Sequence, residues 1–158
     1  MAKIHLLTPE PCADEHCLEL VQHYMRLLKP QLGVEFKHYG GEKVSKPTPG
    51  NIQQALLREA GRIENLLPVQ GQIFLLSEKG VCHETLVLFP LFQQWLQQAA
   101  KLSFVFGGAY GLHESLYKPG RTIFALSPMT LPHELSLVVW IEQLYRLSTL
   151  MSAKRYHY

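Results

Sequence analysis

Two turns in the last third of the chain hold the residues best suited to do chemistry. The apolar run Leu102-Ser103-Phe104-Val105-Phe106 drops straight into Gly107-Gly108-Ala109-Tyr110-Gly111-Leu112. A second run, Thr122-Ile123-Phe124-Ala125-Leu126, drops into Ser127-Pro128-Met129-Thr130-Leu131-Pro132-His133. Runs of this kind read as strands, and such turns leave bare backbone N–H and C=O groups at the carboxyl edge of a sheet. Open α/β proteins bind their ligands at that edge. A long helix follows, carrying Glu142 and Arg146 four residues apart on one face, where an ion pair is expected. The chain closes on Arg155-Tyr156-His157-Tyr158, and a histidine titrates near neutral pH.

Other reactive side chains fall into no strong pattern. Cys12, His16 and Cys17, with Cys82-His83 further on, match no established zinc spacing, so no metal is expected. Three cysteines, odd in number and without a Cys-x-x-Cys pair, suit a reducing cytoplasm better than a disulfide framework. At 158 residues, 47% of them apolar, the chain can bury the core of one domain. It holds no uncharged apolar run of about 18 residues that would span a bilayer, so no membrane partner is expected. Met1-Ala2-Lys3-Ile4-His5 brings charge before any signal-peptide core can form. The net charge of +2 is low for a protein that grips a phosphate backbone. From Lys101 onward, however, Lys101, Lys118, Arg121, Arg146, Lys154 and Arg155 face only Glu114, Glu134 and Glu142. That bias is compatible with RNA docking, and a dimer doubles the patch.

The elements that must carry these turns alternate in type. Strands are expected over Lys3–Leu7, Val34–Tyr39, Gln72–Leu76, Leu102–Phe106 and Thr122–Leu126, the third followed by a turn at Ser77-Glu78-Lys79-Gly80. Helices are expected over Asp14–Leu28, Asn51–Leu67, Glu84–Ala100 and Pro132–Met151, with a short helical piece at Glu114–Tyr117. Pro90 predicts a kink or a late start in the third helix. Gly40 to Gly50 reads as the main loop. Val34, Phe36 and His38 alternate against Glu35, Lys37 and Tyr39, which suits a half-buried strand. The order implies a single α/β domain with a parallel-rich sheet flanked by helices. The final helix carries Leu137, Val138, Val139, Trp140, Ile141, Leu144 and Leu147 around most of its circumference, so it needs covering on more than one side.

The four ordered pieces of the carboxyl third closely resemble the SPOUT methyltransferases, and within them the RlmH type that methylates a pseudouridine of bacterial large-subunit ribosomal RNA. These pieces are the strand with Gly107-Gly108-x-x-Gly111-Leu112, then Leu126-Ser127-x-x-Thr130-Leu131-x-His133, then Glu142-Gln143-Leu144-Tyr145-Arg146, then Tyr156-His157. The resemblance is best from Leu102 onward, fair from Asn51 to Gly80 and poor over the first fifty residues. It implies an α/β knot fold whose carboxyl segment is threaded as a trefoil, an exception to the rule against knots, and a homodimer packed through the last helix. It implies S-adenosylmethionine as cofactor and the N3 of a pseudouridine in 23S rRNA of the ribosome as target. The cofactor site would comprise Leu76 as an apolar wall, Gly107, Gly108 and Gly111 giving close approach and positive φ, and Ser127, Pro128, Met129, Thr130, Leu131 and Pro132 wrapping the adenine. His157 would act as base, Tyr156 would stack on the base, and Arg155 would supply tail charge. His133 would orient the cofactor loop, and Arg146 would contact RNA or an interface.

Four positions depart from the family pattern. Thr8-Pro9-Glu10-Pro11 replaces Val-Gly-Lys, Ser77 replaces an aspartate, Leu137 replaces an arginine, and Tyr158 stands where a terminal cation is usual. They leave the two cofactor loops intact and are expected to tune RNA contact or dimer packing. The alternatives are a methyltransferase of this class with another RNA target, such as tRNA, a divergent non-catalytic binding member, or a flavodoxin-like domain without a knot.

Overall fold

Asp14 accepts the backbone N–H of Cys17 at 2.9 Å and starts helix α1, Glu15–Leu28. Thr48 does the same for Asn51 at 3.2 Å, with Pro49 in the first turn of α2, Pro49–Leu66. Proline fits that position because its missing N–H would have no partner there. The loop expected to reach Gly50 therefore ends at Thr48. The computed structural model describes residues 3–152, and the expected roles of Arg155, Tyr156 and His157 lie outside the described residues.

The strands are β1 Lys3–Thr8, β2 Gly33–His38, β3 Gln72–Cys82, β4 Lys101–Phe106 and β5 Thr122–Ala125. Helices α3, Thr85–Gln98, and α4, His133–Met151, complete the chain with a 3-10 turn at Glu114–Leu116. Among the described residues the sheet has five strands in the order β2-β1-β4-β3-β5, with every pairing parallel. Helix α3 runs unbroken past Pro90 and starts at Thr85, so the late start does not occur. Proline costs it one hydrogen bond, to the Leu86 carbonyl.

Strand β3 departs most from expectation. The predicted turn at Ser77 to Gly80 is strand, and β3 continues to Cys82 with a register shift against β5 between Leu76 and Val81. Glycine permits this. A Cβ on Gly80 would lie 2.6–2.7 Å from the backbone N of Phe124 and the backbone C and O of Ile123. Only a residue without a side chain lets the strands close at that point.

Strands β1 and β4 are buried over nearly their whole length, as a parallel sheet covered on both faces requires. Side chains alternate between two cores. Ile4, Leu6, Phe74, Leu102, Phe104 and Phe124 face α1, α3 and α4, whereas Leu7, Leu75 and Val105 face α2 and the 3-10 turn. Trp140 of α4 sits between Phe104 and Phe124, with ring centroids 4.6 and 5.2 Å away. Leu137, Val138, Trp140, Ile141, Leu144 and Leu147 are all buried within the one chain. The apolar circumference of α4 is thus covered largely by its own sheet, α1 and α3, and does not by itself call for a second copy. Leu137 is 3% exposed in this core. It packs in the core cluster of the single chain, at the position where the family pattern has an arginine.

No helix among the described residues is long and apolar enough to cross a membrane. His5 is buried in β1 with Nε2 3.6 Å from the Glu35 carboxylate. Burial, then Lys37, lowers its pKa below 6.5 against the opposing pull of Glu35. The fold therefore holds the imidazole neutral while the unfolded chain protonates it. Its contribution is fully present above pH 6.5 and is lost as pH falls toward the lower folded value. Urea midpoints taken from pH 7.5 to pH 5.5 should fall more steeply for the native chain than for His5→Gln. Parallel slopes would contradict this account.

Candidate functional site

Three neighbouring strands supply the site. The register shift inside β3 contributes Leu76–Lys79, β4 leads into Phe106–Leu112 and β5 into Leu126–His133. These segments, with Tyr117 and Ser136, line one cavity of about 820 Å³. Leu76, Gly107, Gly108, Gly111, Ser127, Met129, Thr130, Leu131 and Pro132 all face it, as does His133. Pro128 does not, and stands exposed on the outside of its loop. Arg146 lies away from the cavity and donates to Glu142 at 2.6 Å, the expected ion pair.

Each loop is held by its own hydrogen bonds. The Gly111 N–H donates to the Gly108 carbonyl at 3.1 Å, closing a tight turn. Ser127 Oγ accepts from the Met129 N–H at 2.9 Å, and Ser77 Oγ from the Lys79 N–H at 3.2 Å. Thr130 Oγ1 donates to Glu78 Oε2 at 2.8 Å, joining the β3 and β5 loops across the opening. The glycines differ in what they provide. Of the three, only Gly111 has positive φ, at 80°. Gly107 is needed for space, because a Cβ there would meet the Gly111 backbone at 2.8–2.9 Å. Gly108 needs neither, since its Cβ would touch only Pro9 Cγ at 3.6 Å.

Two buttresses fix the loops from outside. Glu134, in the first turn of α4, accepts the N–H groups of Ala13 at 2.6 Å and Asp14 at 3.1 Å, tying the β1–α1 loop to the end of the Ser127–Pro132 loop. Arg121 and Lys118 donate to Glu64 of α2, holding its carboxyl down at about 2. Arg121 also donates to the Leu116 carbonyl at 2.9 Å, which seats the turn carrying Tyr117. Burial, with Glu134 adding to it, pushes the Cys12 thiol up to about 11, so it stays protonated at neutral pH. Among the described residues no group of three or more His, Cys, Asp or Glu side chains could hold a metal ion.

Half of the cavity wall was not expected: Ser77, Glu78, Lys79, Phe106, Ala109, Tyr110, Leu112, Tyr117, Leu126 and Ser136. Ser77 to Lys79 belong to the register shift in β3, which only its pairing with β5 reveals. Two departures from the family pattern also prove to touch the site. Ser77 lines the cavity, and Pro9 stands behind Gly108.

A parallel sheet with a cavity of mixed polar and apolar lining, framed by the backbone of three neighbouring strands, has the place and character of a small-molecule site in an open α/β fold. A family model described as "Predicted SPOUT methyltransferase" matches residues 2–157. The chain belongs to the SPOUT methyltransferase family. It is similar to the ribosomal RNA large subunit methyltransferase H of Ralstonia pickettii (strain 12J), 34% identical over 85% of each chain. The protein of that name from Nitrosomonas eutropha is 37% identical over 73% of this chain and 74% of its own. That from Paraburkholderia xenovorans is 29% identical over 98% of both.

Gly107→Ala forces backbone apart and should cost about 1–3 kcal/mol, whereas Gly108→Ala should be nearly neutral. Thermal denaturation of the two variants side by side checks this, and equal melting points would contradict the packing described.

Proposed function

We propose that this chain transfers a methyl group from S-adenosylmethionine to N3 of a pseudouridine in 23S rRNA of the assembled ribosome, acting as a cytoplasmic homodimer. The observation that carries the reading is the meeting of three backbone loops around one cavity in a chain that matches the SPOUT methyltransferase family nearly end to end. The relatives' name, ribosomal RNA large subunit methyltransferase H, supports the RNA target.

The residues present fit the cofactor. A cavity of about 820 Å³ is roomy enough for a nucleoside with an amino-acid tail. Leu76, Phe106, Leu126 and Leu131 offer apolar wall to an adenine ring. The loops Gly107–Gly111 and Ser127–Leu131 offer backbone donors and acceptors to its edge and to the ribose. When bound, S-adenosylmethionine supplies a methyl group already activated by its sulfonium.

The work left to the chain is positioning and proton removal. His157 would take the N3 proton, leaving the nitrogen free to accept the methyl group that the cofactor would supply. Tyr156 stacks on the target base and Arg155 neutralises nearby phosphate. His133, at the cavity wall, orients the cofactor loop. Arg146, paired with Glu142, serves the interface or RNA contact. The second copy would cover Val81, Leu86 and Val87, apolar side chains that stand exposed around the start of α3. The threaded carboxyl segment belongs to the same reading.

The test is methyl transfer from labelled S-adenosylmethionine to ribosomes lacking the modification, with mass spectrometry of the digested nucleosides. N3-methylpseudouridine is the expected product, and a chain lacking Tyr156–Tyr158 should lose turnover while still binding cofactor. No product on ribosomes, or methylation of tRNA instead, would overturn the target.

A further inference from the structure

The register shift in β3 brings a carboxylate to the cavity. Ser77 to Gly80 have no register partner in β4 or β5, so Glu78 stands outside the ladder. Its Oε2 accepts from Thr130 Oγ1 at 2.8 Å, across from the loop after β5. Both residues line the cavity and both are exposed, which places this bond at the mouth. Among the described residues that line the cavity, Glu78 is the one carboxylate, with Lys79 and His133 as the basic side chains. Neither Glu78 nor Lys79 belongs to an ion pair among the described residues.

A ligand made of a nucleoside and an amino acid divides along such a cavity. Its flat ring system belongs against the inner wall, where Leu76 pairs with Phe106 across adjacent strands and Phe106 is 2% exposed. Its amino-acid tail carries a full ammonium and a full carboxylate at neutral pH. Taking those charges wholly out of water is costly, so the tail is favoured at the wet mouth beside a group of opposite sign. Glu78 is such a group.

Its hydrogen bonding leaves room for a ligand. One hydroxyl occupies only part of a carboxylate, which has two oxygens and several lone pairs, so Glu78 keeps acceptor capacity for an ammonium with three donors. A ribose hydroxyl offers it a hydrogen bond alone, whereas an ammonium adds opposite charge to the bond. Thr130 also holds the side chain in one direction before any ligand arrives. A side chain already ordered gives up less rotamer freedom on binding.

We propose that Glu78 is a specificity-determining residue that accepts the ammonium of the cofactor's amino-acid tail at the mouth of the cavity, with Thr130 positioning it. This rests on the reading that the cavity takes S-adenosylmethionine. The test uses two ligands that differ only in the tail. S-Adenosylhomocysteine and 5′-methylthioadenosine share adenine, ribose and a neutral sulfur, and only the first carries the amino acid. Glu78→Gln removes the charge, keeps an oxygen to accept from Thr130, and lies at an exposed position where folding is not at risk. Calorimetric titration of the full chain should show Kd for S-adenosylhomocysteine raised about fivefold, the size of one screened ion pair, with Kd for methylthioadenosine within about twofold of native. The loss should shrink in about 1 M salt, which screens the native pair as well. Thr130→Val should raise Kd for S-adenosylhomocysteine in the same direction by less. KM for S-adenosylmethionine should rise with Glu78→Gln while kcat at saturating cofactor stays within about twofold. Equal weakening of both ligands would overturn the proposal and leave Glu78 a support for the loop. No change in either would overturn it too. A native chain that binds neither ligand nor S-adenosylmethionine would instead overturn the functional reading, and this proposal with it.

Discussion

The structure depends on a constraint of parallel sheets: every strand ends at the same edge. In an antiparallel sheet the loops after β4 and β5 would lie at opposite ends. Here they converge beside the register shift of β3, because β4, β3 and β5 are neighbours and all run one way. Backbone groups that leave the ladder at that edge have no partner in the sheet, and a bound molecule can pair with them. Parallel pairing also dictates the rest. It demands crossover helices on both faces, hence the two cores, and hence strands such as β1 and β4 that are apolar along nearly their whole length.

Close backbone approach is the second requirement, and glycine meets it at two places with different consequences. At Gly80 it lets β3 run on past its register shift and press against β5, which brings Glu78 within 2.8 Å of Thr130. At Gly107 it lets the loop fold back on Gly111. Both contacts are between backbones, which cannot move aside as a side chain could, so neither tolerates a Cβ without shifting a loop. The long helix α4 then serves two ends. Its first turn, through Glu134, is anchored to the β1–α1 loop, and its middle, through Trp140, fills the core beneath the same strands. Cavity and core are therefore one packing problem.

Much of this was legible in the residues because apolar period and turn chemistry are local. The order of strands and helices, the short helical piece near Glu114 and the Glu142–Arg146 pair follow from patterns within a few residues, and the family resemblance added about half of the cavity wall. What escaped depends on distant partners. Ser77 to Gly80 carry turn residues, and they form the register shift inside β3, whose pairing with β5 resumes at Val81. Tyr39 sits in an alternation that puts it with Glu35 and Lys37, yet it is buried because α2 and the 3-10 turn cover that face. The apolar girth of α4 suggested a second chain, whereas its own α1 and α3 supply most of the cover. Leu137, expected to tune RNA contact or dimer packing, is buried within the single chain.

The most direct measurement is a titration of the isotope-labelled chain with S-adenosylmethionine, followed by the backbone amide resonances. The account predicts saturable shifts concentrated at Leu76, at Gly107 to Gly111 and at Ser127 to Leu131, around the cavity that these segments share. Shifts centred elsewhere, or none at millimolar cofactor, would contradict it.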